Sequence, residues 1–211
     1  MLGDWFCTTE LPIAFADFKR LPRNPAYKYE YFGGRAVLTP RPRYQRAVLE
    51  LSASRAPTST ASRLSGLSIR PLAPGHWTSL PDLLSAAFEG VPPLVTLDTD
   101  RRLDVARECV EYTRMGGDGA VFDEACFGAV EQGEVERLVG AILVTLINEG
   151  CPHLTWILVH PWHMRKGLGT ALLAAAVTAL GERGHRHLAS TFLVGNHRAT
   201  LWHWRRGFQL V

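Results

Sequence analysis

The chain has 211 residues, 46% of them apolar and 20% charged, with a formal net charge of +3. That balance fits one folded domain with a full core plus an extension, and it excludes a disordered or low-complexity polymer. The longest apolar runs, 141–147 and 168–180, are too short to cross a bilayer.

The charge is uneven. Residues 1–70 carry eleven Lys/Arg against five Asp/Glu, and residues 71–211 carry twelve against fifteen, so +6 and −3 sum to +3. A basic first part can touch nucleic acid, but its cations are scattered without an aromatic-basic repeat, which is the pattern of a solvated surface. The start, with Asp4 and Glu10 and no basic stretch before an apolar run, does not read as a signal peptide, so a cytoplasmic protein with no membrane partner is expected. Cys7, Cys109, Cys126 and Cys151 form no Cys-x-x-Cys pair, and the eight histidines have no carboxylate or Cys at ligand spacing, so no metal is expected.

In chain order, Leu11, Phe15, Phe18 and Leu21 recur at near-helical spacing and Pro22-Arg23-Asn24-Pro25 ends that helix. Tyr27–Phe32 and Arg35–Leu38 flank Gly33-Gly34, the signature of a two-residue hairpin. Pro40 and Pro42 break the second strand, and the apolar pattern of 44–51 predicts a helix. The run Glu30-Tyr31-Phe32-Gly33-Gly34-Arg35, continuing through Pro40, Pro42 and Gln45 to Leu49, is similar to the opening of Uma-type endonuclease-like proteins. It lacks the carboxylate and lysine of that family's metal-dependent site, so the likeness implies a local shape and no activity. Residues 52–65 form a Ser/Thr-rich linker and mark a domain boundary between an extension, 1–51, and a main domain, 66–211.

Leu67–Leu72 reads as a strand, His76–Phe88 and Thr99–Arg114 as helices separated by Pro92-Pro93, and 120–132 with 137–147 as a strand hairpin turning at Gly133-Glu134. A β-branched, aromatic strand follows at 153–159, then a helix at 168–183, a strand at 187–194 and a helix at about 197–205.

The turn between the strand at 153–159 and the next helix carries the chemistry. It reads His160-Pro161-Trp162-His163-Met164-Arg165-Lys166-Gly167-Leu168-Gly169-Thr170. A basic, glycine-containing turn at a helix N-terminus presents backbone N–H groups and a favourable dipole to a phosphate or pyrophosphate. Lys166 precedes Gly167, so no P-loop is present, and Leu172 occupies the third glycine position of a dinucleotide fingerprint. Leu158-Val159-His160-Pro161 followed by Arg165-Lys166-Gly167-Leu168-Gly169 resembles strand 4 and the pyrophosphate loop of the GNAT acetyltransferase superfamily, with Met164 where that family usually has Gln or Arg. Asn196-His197-Arg198-Ala199-Thr200-Leu201-Trp202-His203-Trp204-Arg205-Arg206-Gly207-Phe208 resembles the same family's Asn-x-x-Ala-x-x-Leu-Tyr-x-x-x-Gly-Phe segment.

The resemblance implies an α/β fold with a mixed, mostly antiparallel central sheet and an order β-α-α-β-β-β-α-β-α. It implies acetyl-CoA as co-substrate, held by Leu158, Val159, Met164, Arg165, Lys166, Gly167, Leu168, Gly169, Thr170 and Asn196, and a primary amine acceptor on a small molecule or a protein. Asn196 reads equally well as a helix N-cap. His203 stands in the slot of the tyrosine that protonates the departing thiolate, which makes it the candidate catalytic acid or else a helix-surface imidazole. Glu124 and Glu131 are the candidate bases on the facing strand, and Trp156 and Trp162 flank the expected cleft. Family members generally continue with two strands after Gly-Phe, the last lying beside the strand that is here 187–194. This chain has room for one, so the hairpin at 27–38 or a second copy in a homodimer is expected to cover the open edge. A catalytically silent acyl-CoA-binding module and a nucleic-acid-binding protein are the other readings.

Overall fold

The computed structural model describes residues 9–22, 27–40, 44–51, 64–91, 94–95, 97–133, 135–148 and 150–211. The Arg23-Asn24-Pro25 stop, the Pro92-Pro93 break, Cys7 and most of the linker at 52–65 lie outside them.

Two sheets form. The smaller contains β1 (Thr9–Leu11), β2 (Tyr27–Phe32) and β3 (Arg35–Pro40) in the order β1-β3-β2. Gly33 and Gly34 both have positive φ, 58° and 75°, as a two-residue turn between right-twisted strands requires. A short helix, α1 (Phe15–Arg20), packs Phe15 and Phe18 around Tyr31. The expected helix over 9–25 is therefore half realised: Thr9–Leu11 joins the sheet edge against Ala36–Leu38, and only Phe15–Arg20 coils.

The larger sheet holds β4 (Tyr44–Glu50), β5 (Leu67–Pro71), β6 (Ala120–Val121), β7 (Phe127–Glu131), β8 (Arg137–Ile147), β9 (Cys151–Val159), β10 (His187–Leu193) and β11 (Gln209–Leu210). Its order is β11-β4-β10-β9-β8-β7-β5, with β6 on β8, and among the described residues only β9 and β10 run parallel. Two helices, α2 (Leu80–Ala87) and α3 (Thr99–Arg114), cover one face. Leu80, Leu84, Ala106 and Val110 pack there against Leu143 and Leu158. The Asp98 carboxylate accepts the Arg101 N–H at 2.9 Å and so caps α3. The Arg102 guanidinium, buried between the helices, donates to the Ser85 and Leu97 carbonyls and ties α3 to α2. On the opposite face lies α4 (Leu168–Glu182), whose Leu168, Leu172, Leu173, Ala176 and Leu180 bury against Ile142, Val144, Leu154 and Leu188. Each such leucine contributes about 2 kcal/mol by leaving water. The last helix is α5 (His197–Arg205).

The sheet differs from the sequence expectation at 44–51. These residues form a strand, because Ala47, Leu49 and Leu51 alternate into the core and the backbone pairs on both sides. Tyr44–Glu50 runs antiparallel to the whole of β10, from Tyr44 opposite Leu193 to Glu50 opposite His187. Its other edge takes β11, with Val48 opposite Gln209 and Ala47 opposite Leu210. The strand that covers the edge of β10 is thus β4 and not the hairpin at 27–38, which stays in the smaller sheet. The expected boundary at 52–65 falls between two strands of one sheet. Two further elements are shorter than expected: 120–132 divides into β6, a 3-10 turn at Asp123–Ala125 and β7, and His76–Phe88 divides into a 3-10 turn at Pro74–Thr78 and α2.

A chain beginning at Gly66 loses β4 and leaves β10 and β11 without their common partner. It should melt well below the full chain and aggregate through the bared edges. Ala47→Asp in the full chain, which puts a charge into a site 1% exposed, should reproduce the loss with a drop of several kcal/mol. Chemical denaturation and light scattering read both, and a soluble monomer with the parent's melting temperature would contradict this role for β4.

Candidate functional site

The site is made by two strands that begin together and separate. β9 and β10 are paired only at His153–Leu154 with Ala189–Ser190, although β9 continues to Val159 and β10 to Leu193. From Thr155 and Thr191 onward their facing edges are free of each other, and a cleft of about 1440 Å³ opens between them. A register shift between Leu143 and Val144 leaves Thr155 as an extra residue on β9 and re-aims the side chains around it.

One end of the cleft is the turn into α4. A 3-10 turn at Pro161–His163 is followed by Arg165 with φ 61° and by Gly167, the α4 N-cap, with φ 90°. The Met164 N–H is taken by the Pro161 carbonyl, and those of Thr170 and Ala171 by the Gly167 carbonyl. Between them, the N–H groups of residues 165–169 find no backbone acceptor among the described residues. Five consecutive donors at the positive end of a fifteen-residue helix present the kind of surface that suits an anion. Arg165, Lys166, Arg198, Arg205 and Arg206 line the same cleft, and the buried Arg206 Nε has no hydrogen-bond partner among the described residues. A group carrying several phosphate charges fits such a wall.

The expected binding residues gather here with one difference. Val159, Met164, Arg165, Lys166, Gly167, Leu168, Gly169, Thr170 and Asn196 line the cleft, whereas the Leu158 side chain is 1% exposed and packs in the core on the α2–α3 face. Leu158 therefore offers only backbone to the cleft edge. The Asn196 Oδ1 accepts the Ala199 N–H at 3.0 Å, which is the N-cap role. Among the described residues that line the cleft, neither expected base appears. Glu124 pairs with Arg183 at 3.4 Å and Glu131 stands 3.6 Å from His163. Trp156 lines the cleft and donates its indole N–H to Thr113 Oγ1, but Trp162 is 70% exposed and lies against the Arg137 guanidinium.

His203 borders the cleft yet is 4% exposed. Its ring stacks on Phe192 and meets Phe208 edge-on. The Ala199 carbonyl lies 2.8 Å from Nδ1 and can only accept, so Nδ1 carries the proton and Nε2 accepts from Ser190 Oγ at 2.8 Å. Burial holds the imidazolium off strongly, lowering the pKa to about 4. The one proton is committed to a carbonyl and none is directed into the cleft, which argues against the acid role read from the sequence.

The far end of the cleft holds groups the sequence did not single out. His153, Thr155 and Thr191 stand at the fork of the strands, Asp118 on the turn before β6, and Tyr44 and Arg46 on β4. A polar residue at the start of a strand carries no signal of its own. The fork and the Thr155 bulge select these residues, and both are pairing properties.

His203 also links folding to pH. The ring is neutral in the folded chain down to about pH 4 and takes a proton in the unfolded chain below about 6.5, so the unfolded state binds more protons in that window. Stability falls as pH drops from about 6.5 to about 4, by on the order of 3 kcal/mol from this residue. His203→Phe should flatten that acid limb in melting experiments from pH 7 to pH 4. An unchanged limb would exclude His203 as its source.

The sequence model of the GNAT acetyltransferase family matches residues 92–208, which is 117 of the 211 residues. No curated protein matches the chain in sequence. Among solved structures, a GCN5-related N-acetyltransferase from Sphaerobacter thermophilus is similar at 19% identity and a TM-score of 0.55, the match covering 99% of this chain and 58% of that one. The chain thus spans little more than half the length of that relative. PaiA N-acetyltransferase from Thermoplasma acidophilum, solved in complex with coenzyme A, is similar at 17% identity and a TM-score of 0.54, covering 68% of this chain and 89% of its own. A GCN5-related N-acetyltransferase from Ralstonia eutropha JMP134 is similar at 18% identity and a TM-score of 0.50, covering 68% and 93%. At these identities the likeness is one of fold. With the family match over more than half its length and the same fold around it, the chain belongs to the GNAT acetyltransferase family.

Proposed function

We propose that this protein is an N-acetyltransferase that moves an acetyl group from acetyl-CoA to a primary amine by direct attack. The observation that carries the reading is the row of five N–H groups at 165–169 with no backbone acceptor among the described residues, opening onto the fork of β9 and β10. The pyrophosphate lies on that row, with Arg165 and Lys166 beside it. The pantetheine arm runs along the free edge of β9, bonded to backbone at Leu158 and Val159 and flanked by Asn196. Family membership supports acyl transfer in general. The acetyl group, the primary amine and the part each residue plays are the proposal.

Along the free edge of β9, backbone N–H groups polarise the thioester carbonyl where negative charge develops, in a cleft whose walls are largely apolar. The amine enters from the opposite end, past His153 and the α2–α3 face, so that the nitrogen and the carbonyl carbon meet at the apex of the fork. Holding both reactants there replaces a bimolecular encounter by a positioned one.

A second reading is an acyl-CoA-binding module without turnover, favoured by His203, whose proton faces a carbonyl instead of the cleft. The nucleic-acid reading gains no such support, since Lys28, Arg35 and Arg70 are each in an ion pair with a glutamate. Calorimetry with CoA on the parent and on Gly167→Asp separates the main possibilities. Gly167 sits at φ 90°, and a carboxylate there stands where phosphate is to lie, so binding should be lost while circular dichroism and the CoA-free fold persist. Gly167→Asp binding CoA as tightly as the parent would remove the loop from the site. Amine-dependent release of CoA thiol from acetyl-CoA across a broad amine panel should then be seen with the parent, and CoA binding with no turnover would establish the silent module instead.

A further inference from the structure

The hydrogen bonds at the fork assign the protons of a second histidine. Thr145 Oγ1, 2.8 Å from the Asp118 carbonyl, must donate to it, because a carbonyl only accepts. Its hydroxyl proton is thereby used, so the 2.8 Å contact between Thr145 and Thr155 has Thr155 as donor. Thr155 in turn has only lone pairs left for His153 Nδ1 at 3.3 Å, and Nδ1 must carry the proton. Nε2 is then the bare nitrogen of a neutral ring, and it accepts from Thr191 Oγ1 at 3.0 Å. Thr191 is exposed, and turning its hydroxyl away uncovers the Nε2 lone pair to the cleft.

We propose that His153 is the catalytic base of this site, taking the proton from the acceptor amine on Nε2. The inference rests on the acetyltransferase reading and deepens it. From the free amine, the nitrogen–carbon bond forms while the carbon–sulfur bond breaks, and that bond's electron pair leaves on the CoA sulfur. The proton shed by the nitrogen goes to Nε2, and the imidazolium passes it to the sulfur or to solvent, giving amide and thiol. One histidine so placed accounts for both proton movements without His203.

The surroundings suit a base that works near neutrality. Around His153, Asp118 presents its charge from the turn before β6 and Arg46 from β4, where it lies opposite Thr191 in register. The Asp118 carboxylate accepts from Thr113 Oγ1 at 2.6 Å, and Cys109 of α3, its thiol held neutral by burial, and Tyr44 of β4 line the same end. The α2 side chains there, Leu84, Ala87 and Phe88, are apolar. Partial burial, helped by Arg46 and opposed by Asp118, lowers the His153 pKa below 6.5, so the ring is free to accept at neutral pH.

Two measurements test this on the full chain. Imidazole nitrogen NMR of the parent near pH 7.5 should show His153 protonated on Nδ1 and bare on Nε2. The opposite tautomer or a charged ring would overturn the inference whatever the activity. His153→Ala and His153→Gln, each compared with the parent for melting temperature and CoA affinity, should lose about 10²–10⁴-fold in kcat/KM for the amine at pH 7 with CoA binding unchanged. In the parent, the rate should fall on the acid side, below the ordinary imidazole range, as the ring is protonated. In the variants that limb should vanish and the deficit should shrink as pH rises and hydroxide replaces the base. A working parent whose variants stay within twofold at every pH overturns the inference alone, whereas a parent that binds CoA and acetylates no amine removes the acetyltransferase reading together with it.

Discussion

The pairing of β4 with β10 is the constraint on which the rest depends. A strand held on one side by only two residues of its neighbour has no ladder to keep it straight or in register. β10 is in that position with respect to β9, yet it runs extended from His187 to Leu193 because β4 bonds its other edge throughout. With β10 fixed from behind, β9 is free to turn away, and the separation of the two becomes a stable feature of the sheet. The same strand, β4, carries Tyr44 and Arg46 to one wall of the cleft and pairs β11 on its other edge.

Two histidines at the edge of one cleft take opposite parts for reasons of proton bookkeeping. His203 is stacked among aromatic rings and its proton is locked on a helix carbonyl, so it serves to pin α5 to β10 through Ser190. His153 keeps its proton on Nδ1 and donates it into a line of threonine hydroxyls that ends on a carbonyl as well, but its other nitrogen faces an exposed hydroxyl that can rotate. Burial lowers the basicity of both, that of His203 to a pKa of about 4. Position in a familiar motif makes His203 prominent in the sequence, whereas the direction of a carbonyl holds its one proton inside the fold.

Local signals were legible and long-range ones were not. The strand at Arg137–Ile147 and the helix at His197–Arg205 have the bounds read from periodicity, because each is decided by its own apolar pattern and caps. The turn into the helix at 168 was legible too, since glycine and basic residues at a helix N-terminus carry their own physical reason, and its N–H groups at 165–169 find no backbone acceptor among the described residues. The segment 44–51 was misread because its apolar residues fit either period, and the partners that make it a strand lie more than 130 residues away. Glu124 and Glu131 were placed on a single strand facing the site, but the 3-10 turn at Asp123–Ala125 and the ion pairs with Arg183 and His163 take them elsewhere. The Thr155 bulge, and with it the fork residues, exists only once β8 and β9 are paired.

The place of β4 in the sheet sets the order in which the protein is finished during synthesis. Glu50 leaves the ribosome long before its partner His187, and the strand closing its other edge, Gln209–Leu210, follows later still. At ordinary elongation rates that gap is on the order of ten seconds, during which an apolar strand emerges with no neighbour to bond. The nascent chain must keep that strand from pairing with another copy until β10 has emerged, which makes the pairing of β4 a late step in building the sheet.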